Sequence, residues 1–160
     1  MYRSLLMILV CFWVVACNPP RKAKPVYKPG PPDMPVSHKA NNVAWQNSER
    51  LMPVLEKAQR ENKPVFVEFY ASWCAPCKVM EEDIFTQKEV SRYLNSNFLN
   101  FHTDFDSESG KTIASIYEVS KLPTVLFLDP QGVVLEQHVG IANPSVLTAL
   151  GNSALQKMGK

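Results

Sequence analysis

The feature that most constrains this chain is a pair of cysteines at the junction between an apolar run and a helical pattern. The run Val65–Tyr70 is almost continuously apolar, which is typical of a central strand covered on both faces. The segment Cys74-Ala75-Pro76-Cys77 follows shortly after it. Proline is well tolerated in the first helical turn, where its missing N–H would have no acceptor. The sequence therefore predicts two thiols in the first turn of a helix that leaves a buried strand.

The spacing of these cysteines predicts redox chemistry. Two intervening residues let the sulfurs meet around one helical turn, and the unpaired amides at a helix N-terminus stabilise a thiolate. We therefore expect Cys74 to have a pKa below the ordinary thiol value of about 8.5, and to be the attacking and more exposed thiol. Cys77, one turn further in, is predicted to be the resolving thiol that releases a mixed disulfide.

Other uses of such a cysteine pair are less well supported. Zinc takes about four ligands, and none of the three histidines, His38, His102 and His138, has a second ligand at motif spacing. We interpret them as ordinary surface or strand histidines and expect no metal site. A purely structural disulfide across so short a loop would add little stability, because the entropic gain grows with loop length.

The N-terminus resembles the export signal of a bacterial lipoprotein. Arg3 precedes an apolar run over residues 5–15, about half of the ~20 residues that span a bilayer. Small residues then lead into Cys17, which predicts a signal peptide over residues 1–16 and lipidation of that cysteine as a membrane anchor. An ordinary signal peptide with an incidental cysteine is the alternative. Because Asn18 rather than aspartate follows, the resemblance favours the outer over the inner membrane.

A tether is predicted between this signal and the folded part. Residues 17–42 contain seven prolines and few large apolar residues, so this lipidated N-terminus and linker should be disordered. The formal net charge of the chain is only +2, which gives no reason to expect a nucleic-acid partner.

From residue 43 onwards, helical and strand patterns alternate. Strand patterns occupy residues 65–70, 98–105, 124–128 and 133–139, and helical patterns occupy residues 48–62, 78–83, 90–94, 110–117 and 144–158. Pro53 suggests that the first helix starts late or is kinked, and Asn143-Pro144 is typical of an N-cap followed by the first helical residue. Together these patterns predict an α/β fold with a central mixed β-sheet flanked by helices.

Two motifs resemble those of the thioredoxin superfamily. Residues 67–78 are similar to its active-site segment, and Lys121-Leu122-Pro123-Thr124 is similar to its cis-proline loop about 45 residues further on. Gly140 also matches a glycine that is usual in the family. The resemblance implies a thioredoxin-like domain over residues 43–160 and the activity of a thiol–disulfide oxidoreductase. We therefore expect a redox-active disulfide in place of a cofactor.

The resemblance also implies individual roles. Pro123 would follow a cis peptide bond, which places Leu122 beside Cys74, and the Leu122 backbone could pair with an extended substrate segment. Trp73 would flank the dithiol as an apolar lip, unless it simply packs in the core. The residues expected to bind substrate are Trp73, Ala75, Pro76, Leu122 and Thr124.

Glu68 is the one charged residue in the first strand pattern. Thioredoxins carry an aspartate at the matching position, where it helps to move the proton of the resolving thiol. We expect burial to raise the pKa of Glu68 and to make it the general base for Cys77; an outward-facing glutamate is the alternative. The lysine that neighbours this acid in thioredoxins has no counterpart here. Asn100 stands near that place, which leaves the proton path open.

The direction of electron flow is predicted from the residues between the cysteines. Ala75-Pro76 is closer to the Gly-Pro of reducing thioredoxins than to the histidine-containing motifs of strong oxidants. We therefore expect a reduction potential closer to that of thioredoxin, about −270 mV, than to that of DsbA, about −120 mV. Residues 78–90 further resemble the branch that includes the C-terminal periplasmic domain of the electron transporter DsbD. This implies a monomeric periplasmic reductant of protein disulfides, with a membrane electron donor of the DsbD kind.

Two other functions remain open. Soft thiolates suit Cu(I), so a copper metallochaperone is one alternative. Such proteins on this fold use a wider cysteine spacing and a partnered histidine, and neither is seen here. The other is a non-catalytic interaction lipoprotein, but the presence of both cysteines together with Trp73, Pro76 and Pro123 argues against it.

Overall fold

The computed structural model of the protein describes residues 43–160. The elements in this range are α1 Leu51–Glu61, β1 Val65–Tyr70, α2 Ala75–Val79, α3 Lys88–Asn97, β2 Leu99–Asp104, α4 Glu108–Ile116, β3 Thr124–Leu128, β4 Val134–Val139 and α5 Pro144–Lys157. A π-helical turn over Met80–Ile84 continues α2. The predicted signal peptide over residues 1–16, Cys17 and the linker over residues 17–42 lie outside the described residues. No helix of the described part is long and apolar enough to cross a membrane.

The four strands form one mixed sheet in the order β2-β1-β3-β4. Strand β1 is parallel to β2 and antiparallel to β3, and β3 pairs with β4 as an antiparallel hairpin. The two central strands are buried on both faces, which explains their almost continuous apolar sequences. The predicted α/β class and mixed sheet are confirmed.

Alternation along β1 sends its side chains to two separate apolar layers. Val67 and Phe69 belong to the layer that includes α1 and α4. Phe66 belongs to the opposite layer, which includes the π-helical turn, α3 and α5. Because successive strand residues face opposite sides, Glu68 shares the face of Phe66 and lies under the helices that follow the cysteines.

The starts of three helices follow local capping rules. Pro53 is the third residue of α1, so the helix does begin late and the proline lies in its first turn. The Asn143 side chain accepts a hydrogen bond from the Val146 N–H at 3.0 Å, and Pro144 is the first residue of α5. Helix α2 begins three residues earlier than the predicted start at Lys78, because Cys74 itself occupies its N-cap position.

A close approach fixes the loop between β2 and α4. A Cβ atom on Gly110 would lie 1.8 Å from the backbone oxygen of Asp104, so only glycine fits at this point of α4. The Gly110 N–H donates to the Ser107 hydroxyl at 2.8 Å, which caps the helix. The loop that carries Asp106 is thereby held at the carboxyl end of β2, next to the cysteines.

Candidate active site

The two cysteines form a disulfide in the first turn of α2, directly after β1. Cys74 is the N-cap residue, and its Sγ accepts a hydrogen bond from the Cys77 N–H at 3.2 Å. The predicted placement of the pair is therefore confirmed. The expectation that Cys74 is the more exposed residue is wrong for this disulfide form, since each cysteine is 3% exposed. The pair packs with buried Ala71 and with the partly buried residues Tyr70, Phe105 and Leu122.

The loop before β3 lies against this disulfide. The Leu122–Pro123 peptide bond is cis, and Leu122 packs on the cysteine cluster, as the family resemblance implied. The Pro123 carbonyl accepts from the Gly140 N–H at 2.8 Å, which ties the loop to the end of β4. Thr124 differs from expectation: it is 1% exposed and its hydroxyl donates to the Lys121 carbonyl at 2.7 Å. Its side chain shapes the loop and presents no surface to a substrate.

Trp73 is a surface residue. Its side chain is 61% exposed, which excludes the core-packing alternative. The indole Nε1–H donates to Asp106 Oδ2 at 2.6 Å, so the ring is fixed to the β2–α4 loop. Ala75 is exposed and Pro76 is half-buried. These three residues supply an accessible, largely apolar rim on the helix side of the disulfide.

The end of β4 adds two residues that the sequence analysis missed. Val139 and Ile141 are 49% and 45% exposed. Val139 pairs with Thr124, and Gly140 between them donates to the cis-proline loop, so both apolar side chains flank that loop. The apolar rim therefore continues from the loop onto the hairpin. The sequence did show these two apolar residues on either side of Gly140, the glycine that is usual in the family.

Glu68 is buried on the face of the sheet that packs against the π-helical turn after the cysteines. It is 3% exposed, which excludes the outward-facing alternative. Burial raises the pKa of Glu68 well above its ordinary value, and the nearby Glu81 carboxylate raises it further. The expected direction of the pKa shift is confirmed. Glu81 itself was missed, although it follows Cys77 by four residues, the spacing of one helical face.

On the neighbouring strand β2 the direct partner of Glu68 is His102, which the sequence analysis did not single out for this role. In the parallel β1–β2 register Glu68 pairs with His102, whereas Asn100 pairs with Phe66. The Asn100 side chain is 1% exposed and donates to Asn95 Oδ1 at 2.9 Å. Asn100 lies two residues earlier on the same face of β2. Because a shift of two residues keeps the same face of the strand, alternation of polar and apolar residues could not show which of the two is the direct partner of Glu68.

His102 lies among aromatic rings at the edge of the sheet. Its ring stacks on Trp45 with centroids 4.7 Å apart and an interplanar angle of 5°, and it lies 5.4 Å from the Tyr70 ring. Burial, followed by the charges of Asp104, Glu81 and Glu68, raises the pKa of Tyr70 to about 12. The Tyr70 phenol therefore stays neutral at physiological pH, in surroundings rich in carboxylates.

The described residues contain no metal centre. No three histidine, cysteine, aspartate or glutamate side chains come together in residues 43–160 in a way that could hold a metal ion. The other described histidine, His138, lies on β4 with its Nε2 3.3 Å from the Ile141 carbonyl.

Comparison with known proteins assigns the family. Residues 51–155 match the family described as the thioredoxin-like domain. The chain belongs to this family. The thioredoxin-like domain is 29% identical over 108 residues to the thiol:disulfide interchange protein DsbD of Pseudomonas fluorescens, which covers 67% of this chain and 18% of that protein. DsbD of Yersinia pestis is 38% identical over 88 residues, or 54% of this chain and 14% of that protein. The chain therefore spans less than a fifth of the length of these relatives.

Solved structures agree with the fold. A thioredoxin from Thermus thermophilus superposes with a TM-score of 0.64 at 23% identity, covering 74% of this chain and 91% of that one. The oxidised C-terminal domain of Neisseria meningitidis DsbD superposes with a TM-score of 0.55 at 23% identity, covering 64% and 92%. The predicted thioredoxin-like fold and the resemblance to the superfamily are confirmed.

Proposed function

We propose that this domain is a thiol–disulfide oxidoreductase that reduces disulfides in other proteins, with Cys74 attacking and Cys77 resolving. The observation that carries the proposal is the disulfide itself, which lies at the start of α2 and beside the cis-proline loop, while buried Glu68 lies on the strand that leads to it. The Cys74 thiolate attacks a client disulfide and forms a mixed disulfide. Cys77 then attacks the Cys74 sulfur, which releases the client as a dithiol and regenerates the Cys74–Cys77 bond.

The surface around the disulfide supports a polypeptide client. Trp73, Ala75 and Pro76 form an accessible rim on one side, and Leu122 offers backbone groups on the other. An extended client segment that pairs with the Leu122 backbone would bring its own disulfide over Cys74. Backbone pairing tolerates many client sequences, so this arrangement suits a general reductant.

The source of electrons is proposed to be a membrane transporter of the DsbD kind. Relatives named thiol:disulfide interchange protein support an exchange partner of this chemistry. The Ala75-Pro76 dipeptide places no histidine beside the thiolate, and a histidine there would favour the reduced form and an oxidising potential. We propose that a monomeric, lipid-anchored domain reduces its clients in the periplasm, and the DsbD relatives and the lipoprotein-like N-terminus support this.

An insulin-reduction assay tests the activity against its copper-binding alternative. We expect the domain to reduce insulin disulfides with dithiothreitol as electron source, and its potential in glutathione buffers to lie below about −180 mV, the value of protein disulfide isomerase. A potential above that value would contradict the reductant role. Tight Cu(I) binding in a competition titration without insulin reduction would favour a metallochaperone. Failure of both assays would favour a non-catalytic interaction lipoprotein.

Metabolic labelling tests the proposed anchor on Cys17. We expect the full-length protein to incorporate an alkyne fatty acid and to fractionate with membranes, preferentially the outer membrane. Cys17→Ala should abolish the label, because the small-residue motif presents that thiol for lipidation. Cys11→Ala is the matched control, since it removes another cysteine of the same segment. Label retained by Cys17→Ala would rule out this site.

A further inference from the structure

We propose that His102 is a positioning residue for the general base: it carries the proton of Glu68 between the buried carboxyl group and solvent. This inference rests on the proposed function, because it assigns His102 a part in the step in which Cys77 resolves the mixed disulfide. It predicts that resolution, and not the attack by Cys74, responds to the protonation of His102.

The sheet places the two side chains next to each other. Glu68 and His102 are direct partners in the parallel β1–β2 register, on strands about 4.8 Å apart, and their side chains leave the same face. On the other side of Glu68 the register partner is Val125, which is apolar and fully buried. Phe66, two residues before it on the same face, is also fully buried. Towards the edge of the sheet the direct neighbour of Glu68 is therefore His102, and Glu81 acts on Glu68 from the π-helical turn.

The chemistry requires a route by which Glu68 loses its proton. During resolution the Cys77 thiol gives its proton to the Glu68 carboxylate, and the Cys77 thiolate attacks the Cys74 sulfur. The Cys74–Cys77 bond forms while the bond between Cys74 and the client breaks, and the departing client thiolate takes a proton from water. Glu68 is left protonated at 3% exposure, so it needs a neighbour to return to its basic form. The same path runs in reverse when the disulfide is reduced again and Cys77 regains its proton.

His102 has the properties that this task requires. It lies on β2, an edge strand, and is half-buried, so it is connected both to the interior and to water. An unperturbed imidazole changes its protonation near pH 6.5, so a histidine can take up and release a proton at physiological pH. The stack on Trp45 and the neighbouring Tyr70 ring keep the imidazole in its place.

The charged groups that face His102 from the sheet and the π-helical turn are acidic, whereas Arg50 lines the same groove from the segment before α1. Glu68 and Tyr70 face it from β1, Asp104 follows it on the same face of β2, and Glu81 acts on both Glu68 and Tyr70 from the π-helical turn. Tyr70 stays neutral because its pKa is raised to about 12. The carboxylates attract an imidazolium ion, and an imidazolium ion in turn favours the ionised form of Glu68. His102 and Glu68 should therefore titrate as a coupled pair.

A kinetic experiment separates the two chemical steps. Reduced protein is mixed with Ellman's reagent in a stopped-flow instrument: attack by Cys74 releases the first thionitrobenzoate and resolution by Cys77 releases the second. We expect His102→Gln to leave the first phase within about twofold of wild type between about pH 5 and 9. The second phase should slow roughly tenfold at neutral pH, which is less than the usual contribution of general acid–base catalysis. The pH profile of its rate should also lose its inflection. Unchanged second-phase rates and pH profile would overturn the proposal.

Two further variants guard against a structural explanation. His102→Phe keeps an aromatic ring for stacking but cannot titrate, so it should reproduce the kinetic effect of His102→Gln. His138→Gln removes the half-buried histidine of β4 and should leave both phases unchanged. Wild-type behaviour of His102→Phe would show that only the ring stack matters, and would contradict a role in proton movement.

A client-free measurement distinguishes failure of this inference from failure of the proposed function. The carboxyl carbon of Glu68 is titrated by NMR in the oxidised protein, where the cysteines do not ionise. We expect His102→Gln or His102→Phe to raise the midpoint of Glu68 by about one pH unit, as loss of a nearby opposite charge does. An unchanged midpoint would overturn the inference whatever the insulin assay shows. A shifted midpoint in a domain that fails to reduce insulin would refute only the proposed function.

Discussion

Replacing Cys77 with alanine is expected to convert the domain from a catalyst into a trap for its clients. Cys74 retains its N-cap position at the start of α2 and still attacks, but no second thiol displaces the client. Insulin reduction should fall by about 10³-fold or more, as it does when one member of a catalytic unit is lost. Mixed disulfides should accumulate and be visible as dithiothreitol-sensitive bands on non-reducing gels.

The matched variants assign the roles of the two sulfurs. Cys74→Ser should abolish both turnover and trapping, whereas Ser72→Ala changes only an exposed neighbour of the motif and should retain wild-type rates. If Cys74→Ser traps clients and Cys77→Ala does not, the roles are reversed. Mass spectrometry of the proteins trapped in cells by Cys77→Ala would then identify the clients.

Glu68→Gln is expected to separate resolution from attack. Without the carboxylate, Cys77 loses its general base, so the second thionitrobenzoate phase should slow by about 10²-fold while the first remains near wild type. Equal rates of both phases in wild type and variant would rule out this role for Glu68. Combined with His102→Gln, the double variant should resolve no more slowly than Glu68→Gln alone, because the histidine acts through the carboxyl group.

Glu68→Gln should also remove a pH dependence from the free energy of unfolding. Burial holds the pKa of Glu68 above its unfolded value, so its protonated form favours the native state. This contribution is complete below the unfolded pKa and is lost as pH rises through the raised folded pKa. Urea denaturation should therefore show Glu68→Gln to be more stable than wild type at about pH 8, on the order of 2 kcal/mol, and little different at about pH 4. An equal difference at both pH values would contradict the assignment.

The pKa of Glu136 is shifted in the opposite direction to that of Glu68, so Glu136 serves as a comparison. Hydrogen bonds from Lys157 and Ser153 lower its pKa, with the Lys157 Nζ 2.7 Å from Glu136 Oε1. Its ionised form favours the native state, so its contribution is present above the unfolded pKa and is lost as pH falls through the lowered folded pKa. Glu136→Gln should therefore lower stability at neutral pH, where Glu68→Gln raises it.

The sequence predicted those parts of the site that depend on local pattern. The Cys-x-x-Cys turn, the strand before it and the N-cap at Asn143 each follow from a few adjacent residues, and the structure confirms them. The cis bond before Pro123 came from the family resemblance alone, since only about 5–6% of such bonds are cis. Local pattern and a specific family match together were sufficient for the fold and for the disulfide.

The remainder of the site depends on pairing between distant segments. His102 is more than thirty residues from Glu68, and a shift of two residues along β2 preserves every inward-facing position, so the sequence could not decide between His102 and Asn100. The low exposure of Cys74 likewise depends on Tyr70 and Leu122, which converge from two different strand ends. The register of β1 against β2 and the packing of Tyr70 and Leu122 on Cys74 arise from tertiary contacts, for which neighbouring residues in the sequence carry no signal.

The short segment before α1 has a practical consequence for anyone who produces this domain. Trp45 forms a parallel bridge with Asn100, and the Gln46 N–H donates to the Asn100 carbonyl at 2.8 Å, so the segment shields part of the β2 edge. The family match begins only at residue 51. A protein trimmed to that boundary would expose unpaired β2 backbone and the aromatic surface beneath Trp45, and open strand edges promote aggregation. Soluble preparations should therefore retain the chain from Val43 onwards.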